Sequence, residues 1–161
     1  MRVGSGFDVH AFGPGDSVML GGVRVPHNRG VVAHSDGDVL LHALVDAMLG
    51  AAGLGDIGQH FPDSDPQWRG APSSHFLAAA VQMLSRRGQR VVNVDLTLLA
   101  QSPRIAVWRE QIRANVALQL GLRESEVNLK ATTTEHLGFI GRAEGLAAMA
   151  TVLIDEVAAA S

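Results

Sequence analysis

No cysteine occurs in the 161 residues, which excludes disulfides, cysteine-rich zinc modules and a cysteine nucleophile. Tyrosine is missing too, and aromatics make up only 4% of the chain, too few for the stacking platforms that hold single-stranded nucleic acid. Lys130 is the single lysine beside 12 arginines, and with a net charge of −3 and no basic tract the chain is not expected to bind nucleic acid. No apolar run approaches the roughly 20 residues that span a bilayer. The N-terminal MRVGSGFDVH carries Asp8 and no apolar stretch of the secretory kind, so a cytoplasmic location is expected. Neither a repeat nor a low-complexity linker divides the chain, and residues 1–161 are expected to form a single domain.

What the chain does contain is small apolar residues and unevenly placed acid. Hydrophobic residues reach 47%, 22 of the chain's residues being alanine, so the core is expected to be built from small pieces. Six of the ten aspartates (36, 38, 46, 56, 63 and 65) lie between Gly30 and Trp68, a stretch without lysine or arginine. Uncompensated carboxylates repel one another unless water or a cation separates them. That segment is therefore either a solvated loop or a metal site.

The pattern of elements alternates strand and helix, which predicts an α/β class (an α+β sandwich) with one mixed sheet covered by helices. Met1–His10 reads as a short strand, and Ser17–Pro26 as a hairpin turning at Gly21-Gly22. Val39–Ala52 has helical spacing and stops at Gly53. Gly53–Pro72 is dense in Gly, Pro and Asp and reads as loop. Ser73–Arg87 is an amphipathic helix closed by Gly88, and Arg90–Ala100 a strand. A helix is predicted from Pro103 to Leu120, a strand over Val127–Thr133, then a loop. Leu146–Val157 is ambiguous, because its alanines favour helix and Thr151–Ile154 favour strand.

Asp8 and His10 are two apart, so on a strand they share a face. His42 lies on the first helix with Asp38 and Asp46 at i−4 and i+4. Together Asp8, His10 and His42 offer one oxygen and two nitrogens with a fourth position open, the donor set of a catalytic zinc site. Asp46 is placed to orient a ligand histidine through its second ring nitrogen. An ordinary Asp–His hydrogen bond at a strand end is the competing reading. His34 and Ser35 precede the helix start at Asp36-Gly37-Asp38, where capping explains part of the pattern and an anionic ligand the rest. Thr132-Thr133-Thr134-Glu135 closes a strand with groups able to hold a phosphate and a hard cation, with Phe139 and Arg142 following. Gly4-x-Gly6 lacks the rest of a dinucleotide or P-loop motif. His27, His60, His75 and His136 read as surface or packing residues.

GSGFDVH at 4–10, AHSDGDV at 33–39, GDIG at 55–58, FPDSD at 61–65, KATTTE at 130–135 and LGFIGR at 137–142 occur in this order. Together they resemble the 2-C-methyl-D-erythritol 2,4-cyclodiphosphate synthases of the non-mevalonate isoprenoid pathway. The resemblance implies a cytoplasmic homotrimer with active sites at subunit interfaces. Its members convert 4-diphosphocytidyl-2-C-methyl-D-erythritol 2-phosphate to the cyclic diphosphate and release CMP. It further implies Zn²⁺ on Asp8, His10 and His42, and a second cation, Mg²⁺ or Mn²⁺, held with Glu135. His34 and Thr133 match positions that stabilise the transition state. Asp56, Ile57 and Gly58 match ribose contacts. Ala100, Gln101, Ser102, Pro103, Arg104, Ile105 and Ala106, with Ala131, Thr132 and Thr133, match the cytidine pocket of a neighbouring subunit. Ser35, Phe61, Asp63, Asp65, Phe139 and Arg142 match the side that holds the methylerythritol phosphate, and the resemblance also implies substrate contacts for Pro62, Ser64, Thr134 and Glu135. An isoprenoid diphosphate in a channel along the trimer axis, and a short form without a fused cytidylyltransferase, also follow from the resemblance. Arg104 stands where lysine is usual, which keeps the charge and changes the donor geometry. A metal-dependent phosphohydrolase and a non-catalytic trimeric binding module are the rival functional readings.

Overall fold

The computed structural model describes residues 1–62 and 64–157. Its frame is a five-stranded mixed sheet in the order β4 (Gly30–Val31), β1 (Arg2–Gly13), β7 (Gly145–Glu156), β5 (Gln89–Leu99) and β6 (Val127–Thr132). All neighbours are antiparallel except β5 and β6, which run parallel and are joined through α4 (Arg109–Leu120), as a parallel pair requires a crossover. A separate hairpin of β2 (Ser17–Leu20) and β3 (Val23–Pro26) turns at Gly21 and Gly22, both at positive φ, where a side chain would be strained.

Helix α1 (Val39–Ala52) lies on β1 and β7, α3 (Ser73–Arg86) on β5 and α1, and α4 on β6 and α3. These helices bury the face of the sheet that carries Leu96, Leu98, Leu146, Ala148, Ala150 and Val152. Among the described residues much of the opposite face is left uncovered. Phe7 on β1 and Met149 on β7 sit side by side in register and are 56% and 50% exposed, with Val3 and Val9 exposed along the same strand.

The α/β expectation holds, with helices covering one sheet face. Four local expectations need correction. The first strand continues past His10 to Gly13, because pairing with β7 and then β4 prolongs it. Gly53–Pro72 is not all loop: it contains α2 (Ile57–His60), capped by Asp56, and a 3₁₀ turn at Pro66–Trp68, capped by Asp65. The helix predicted from Pro103 begins only at Arg109, because Ile105 is drawn into the core and a turn from Ile105 to Trp108 precedes the helix. The loop after β6 holds one more short helix, α5 (Gly138–Gly141). The ambiguous final segment is strand β7, whose hydrogen-bonding groups are taken on both sides by β1 and β5.

Candidate active site

Alternation along β1 turns Gly4, Gly6, Asp8 and His10 toward α1, and Val3, Phe7 and Val9 away from it. The two glycines explain how close the helix lies. A Cβ on Gly4 would fall 2.0 Å from the Ala47 carbonyl oxygen, and one on Gly6 equally close to that of Ala43. With strand and helix backbones almost touching, the side chains that follow on β1 meet the first turns of α1. There Asp8 Oδ2 lies 3.0 Å from His10 Nε2 and 3.1 Å from His42 Nδ1, and the two ring nitrogens are 3.1 Å apart. All three side chains are largely shielded from solvent.

This triangle fits a metal. Bonds of about 2.0–2.1 Å in a tetrahedral site give ligand–ligand edges of about 3.3 Å, so the three atoms need spread by only a few tenths of an ångström. The donors are one carboxylate oxygen and two imidazole nitrogens, which suits zinc or a similar transition metal. Burial by itself would raise the Asp8 carboxyl, but hydrogen bonds and attraction from His10 and His42 outweigh it and hold the group well below the usual carboxylate range.

The other nitrogen of His42, Nε2, faces two hydroxyls: Ser73 Oγ at 2.8 Å and Ser35 Oγ at 3.1 Å. Ser73 is fully buried at the start of α3, and its hydroxyl donates to Asp36. Asp46, expected to orient His42, is not its partner; its Oδ1 accepts from the backbone N–H of Ile57 at 3.2 Å and fixes the start of α2. Asp38 also leaves the histidine's surroundings. It caps α1 through Leu41 N–H and accepts from Gly21 and Gly22 N–H, tying the β2–β3 turn to the helix. Burial pushes its carboxyl up, the three N–H groups opposing this and the charge of Asp36 adding to it.

The triad opens into a cavity of about 410 Å³. His34, Ser35, Ile57, Gly58 and Phe61 line it, and Phe61, Trp68 and Phe76 form its aromatic floor with ring centroids 4.9–5.6 Å apart. Other expected residues stand apart from it. Asp56 spends its carboxylate on the backbone and side chain of Gln59, Asp65 on Gln67, and Pro62 and Ser64 are exposed. Asp63 lies outside the described residues.

A second, more open cavity of about 230 Å³ is lined by Ala100, Gln101, Pro103, Arg104, Ile105, Ala106, Ala131, Thr132 and Thr133, joined by Leu98 and Arg109. Ser102 turns away to bond His27. Both cavities are at one end of the sheet, since Asp8 is in register with Ala148, that residue with Leu98, and Leu98 with Ala131. Asp8 and Ala131 are three strand spacings apart, about 14 Å at ~4.8 Å each. Beyond the second cavity Thr133 Oγ1 donates to Glu135 at 3.1 Å, and Thr134 Oγ1 donates to the Leu137 carbonyl. Glu135 and His136 both hold left-handed backbone conformations, and Arg142 pairs with Glu144 through two hydrogen bonds. Phe139 is 42% exposed and lines neither cavity.

Sequence reading missed Ser73, Trp68 and Phe76. No spacing rule connects them to His42; the docking of α3 against α1 brings Ser73 and Phe76 there, and Trp68, on the 3₁₀ turn, packs against Phe61 and Phe76.

The YgbB family model matches residues 1–155. Over 154 residues the chain is 56% identical to the 2-C-methyl-D-erythritol 2,4-cyclodiphosphate synthase of Pseudomonas aeruginosa (strain UCBPP-PA14), spanning 96% of this chain and 98% of the relative. The bifunctional IspDF of Campylobacter jejuni superposes with a TM-score of 0.93 at 45% identity, covering 96% of this chain and 42% of that longer one. Plasmodium falciparum IspF in complex with CDP superposes with a TM-score of 0.85 at 34% identity over 97% of this chain and 96% of that one. Among the described residues no helix is long and apolar enough to cross a membrane. The chain belongs to the YgbB family, the family of these cyclodiphosphate synthases.

Proposed function

We propose that this chain is a phosphorus–oxygen lyase that closes 4-diphosphocytidyl-2-C-methyl-D-erythritol 2-phosphate into the 2,4-cyclodiphosphate with release of CMP. The step would serve isopentenyl diphosphate biosynthesis, with the chain acting as one cyclodiphosphate synthase domain. The observation that carries this reading is the convergence of Asp8, His10 and His42 to within 3.1 Å at the mouth of a cavity shared with His34 and Ser35.

The 2-phosphate oxygen attacks the β-phosphorus and forms the new P–O bond. The bond from that phosphorus to the bridging oxygen breaks, and the bridging oxygen departs with CMP. Nucleophile and electrophile belong to one molecule, so folding the substrate supplies proximity and no protein nucleophile is needed. A divalent metal on the triad supplies charge neutralisation for phosphate oxygens, as does a second cation, Mg²⁺ or Mn²⁺, held with Glu135. In this reading His34 and Thr133 stabilise charge on the transferring phosphorus. Asp56, Ile57 and Gly58 take the ribose. Ser35 and the Phe61–Asp65 segment, with Phe139 and Arg142, hold the methylerythritol phosphate, and the Ala100–Ala106 and Ala131–Thr133 cavity takes cytidine.

The active enzyme in this reading is a cytoplasmic homotrimer with sites between subunits. Two features support it: among the described residues nothing covers the apolar outer face around Phe7 and Met149, and Asp8 in one cavity and Ala131 in the other stand about 14 Å apart along the sheet. That same face would line the axial channel for an isoprenoid diphosphate.

Phosphorus NMR of the protein with this substrate, Zn²⁺ and Mg²⁺ tests the proposal. A cyclic diphosphate forming one-for-one with CMP is expected. A linear diphosphate with CMP would mean that water wins the attack and the protein is a phosphohydrolase. An unchanged spectrum from folded, metal-loaded protein would leave only a binding role.

A further inference from the structure

The residues around His42 point beyond the triad itself. Asp36 is spent almost wholly on the start of α3: one carboxylate oxygen accepts from the Ser73 backbone N–H at 3.1 Å, and the other from the Ser73 hydroxyl and from Asp38 N–H. Pro72, the residue before the helix, offers no side-chain cap, so Asp36 reaches across from another segment to satisfy this terminus. An ionised carboxylate only accepts hydrogen bonds. The Ser73 hydroxyl proton is therefore committed to Asp36, and its oxygen is left to accept from His42 Nε2 at 2.8 Å. A ring nitrogen that donates to Ser73 carries a proton, so in the form that binds a metal the lone pair of His42 lies on Nδ1, the atom that meets Asp8 and His10.

The geometry points to Ser73, backed by Asp36, as a positioning residue that fixes the tautomer and ring orientation of His42 for metal binding. It does so from a fully buried position on a different helix. Ser35 also reaches Nε2, at the longer distance of 3.1 Å, and its oxygen already accepts from Gly37 N–H; among the described residues no carboxylate orients its hydroxyl. Ser73 and Asp36 thus join the docking of α3 to the readiness of the triad. The inference rests on the reading of Asp8, His10 and His42 as a metal site.

The mere-cap alternative is separable, because Ser73→Ala keeps the backbone N–H that Asp36 caps and removes only the hydroxyl. Zinc affinity by chelator competition should fall about 10–100-fold in Ser73→Ala, the usual consequence of losing a ligand's outer hydrogen-bond partner. The thermal melt of the metal-free protein should stay close to wild type. In the zinc-loaded wild type the His42 Hε2 proton should be visible by NMR as a slowly exchanging signal, and it should broaden away in Ser73→Ala. Equal zinc affinity in the two proteins, within twofold, would overturn the inference and leave Ser73 a cap. A rapidly exchanging Hε2 proton in the zinc-loaded wild type would overturn it with no variant needed. Zinc binding by neither protein would instead sink the metal site itself.

Discussion

The two cavities at the end of the sheet are built in opposite ways. Around Asp8, His10 and His42 a continuous series of hydrogen bonds runs from Asp8 through His42 to Ser73 and Asp36, with His10 joined to both Asp8 and His42. The triad sits between a strand and a helix whose backbones are in contact. Around Thr133 and Glu135 the side chains are exposed, bond only near neighbours along the chain, and stand on a loop with two successive left-handed residues. A metal site needs its ligands held in place before the ion arrives, since rigidity there sets affinity. In the proposed assembly the open half is the part that a second copy of the chain would cover.

The contrast can be broken most sharply at His42. His42→Ala removes one of three ligands and should lower zinc affinity by ~10³-fold, beyond the 10–100-fold typical of losing an outer partner. Zinc-dependent turnover should vanish while the far-ultraviolet circular dichroism stays unchanged; full activity of this variant without zinc would remove the metal mechanism.

The neighbouring carboxylates separate structure from chemistry. Asp38→Ala should destabilise the fold by about 3 kcal/mol, because it deletes the α1 cap and strands the Gly21 and Gly22 N–H groups. Denaturant unfolding measures this, and a loss below about 1 kcal/mol would show that water or another group replaces the carboxylate.

Acid gives a milder probe of the same region. Asp8 binds fewer protons folded than unfolded, so in the metal-free protein its contribution to stability is full above its unfolded pKa of about 4 and declines as pH falls below it. The melting-temperature gap between wild type and Asp8→Asn should narrow between pH 4 and 2. A gap that widens in acid would contradict the hydrogen bonds assigned to Asp8.

The smallest change belongs to the open half. Glu135→Gln should shift stability by less than about 0.5 kcal/mol, as expected for an exposed side chain. Zinc affinity should be untouched, while the Mg²⁺ or Mn²⁺ needed for half-maximal activity should rise severalfold. A parallel loss of zinc binding would mean that the two halves are coupled within one chain.

Much of the candidate site was legible because it depends on local periodicity. Asp8 and His10 share a face by strand alternation, and His42 follows from the helix after Asp38. What failed were statements about which neighbour a face meets. A helical wheel puts Asp46 beside His42, yet Asp46 turns to the Ile57 N–H, while Ser73, some thirty residues away in sequence, takes the histidine. Proline at 103 is a sound helix-start signal, but burial of Ile105 outweighs it and delays the helix to Arg109.

By itself the sequence determined the strand and helix periodicities, the glycine turns, the absence of any thiol chemistry and the three side chains able to meet on one ion. Those properties depend on residue type and short spacing, which the chain carries wherever it goes. Tertiary structure alone decided that β7 is a strand, because its alanines fit beneath α1 while β1 and β5 claim its backbone. It decided likewise that Gly4 and Gly6 let α1 press close against β1, and that Asp36 and Ser73 stand behind His42. Contacts between segments distant in sequence depend on how helices dock on the sheet, and no local pattern encodes that choice.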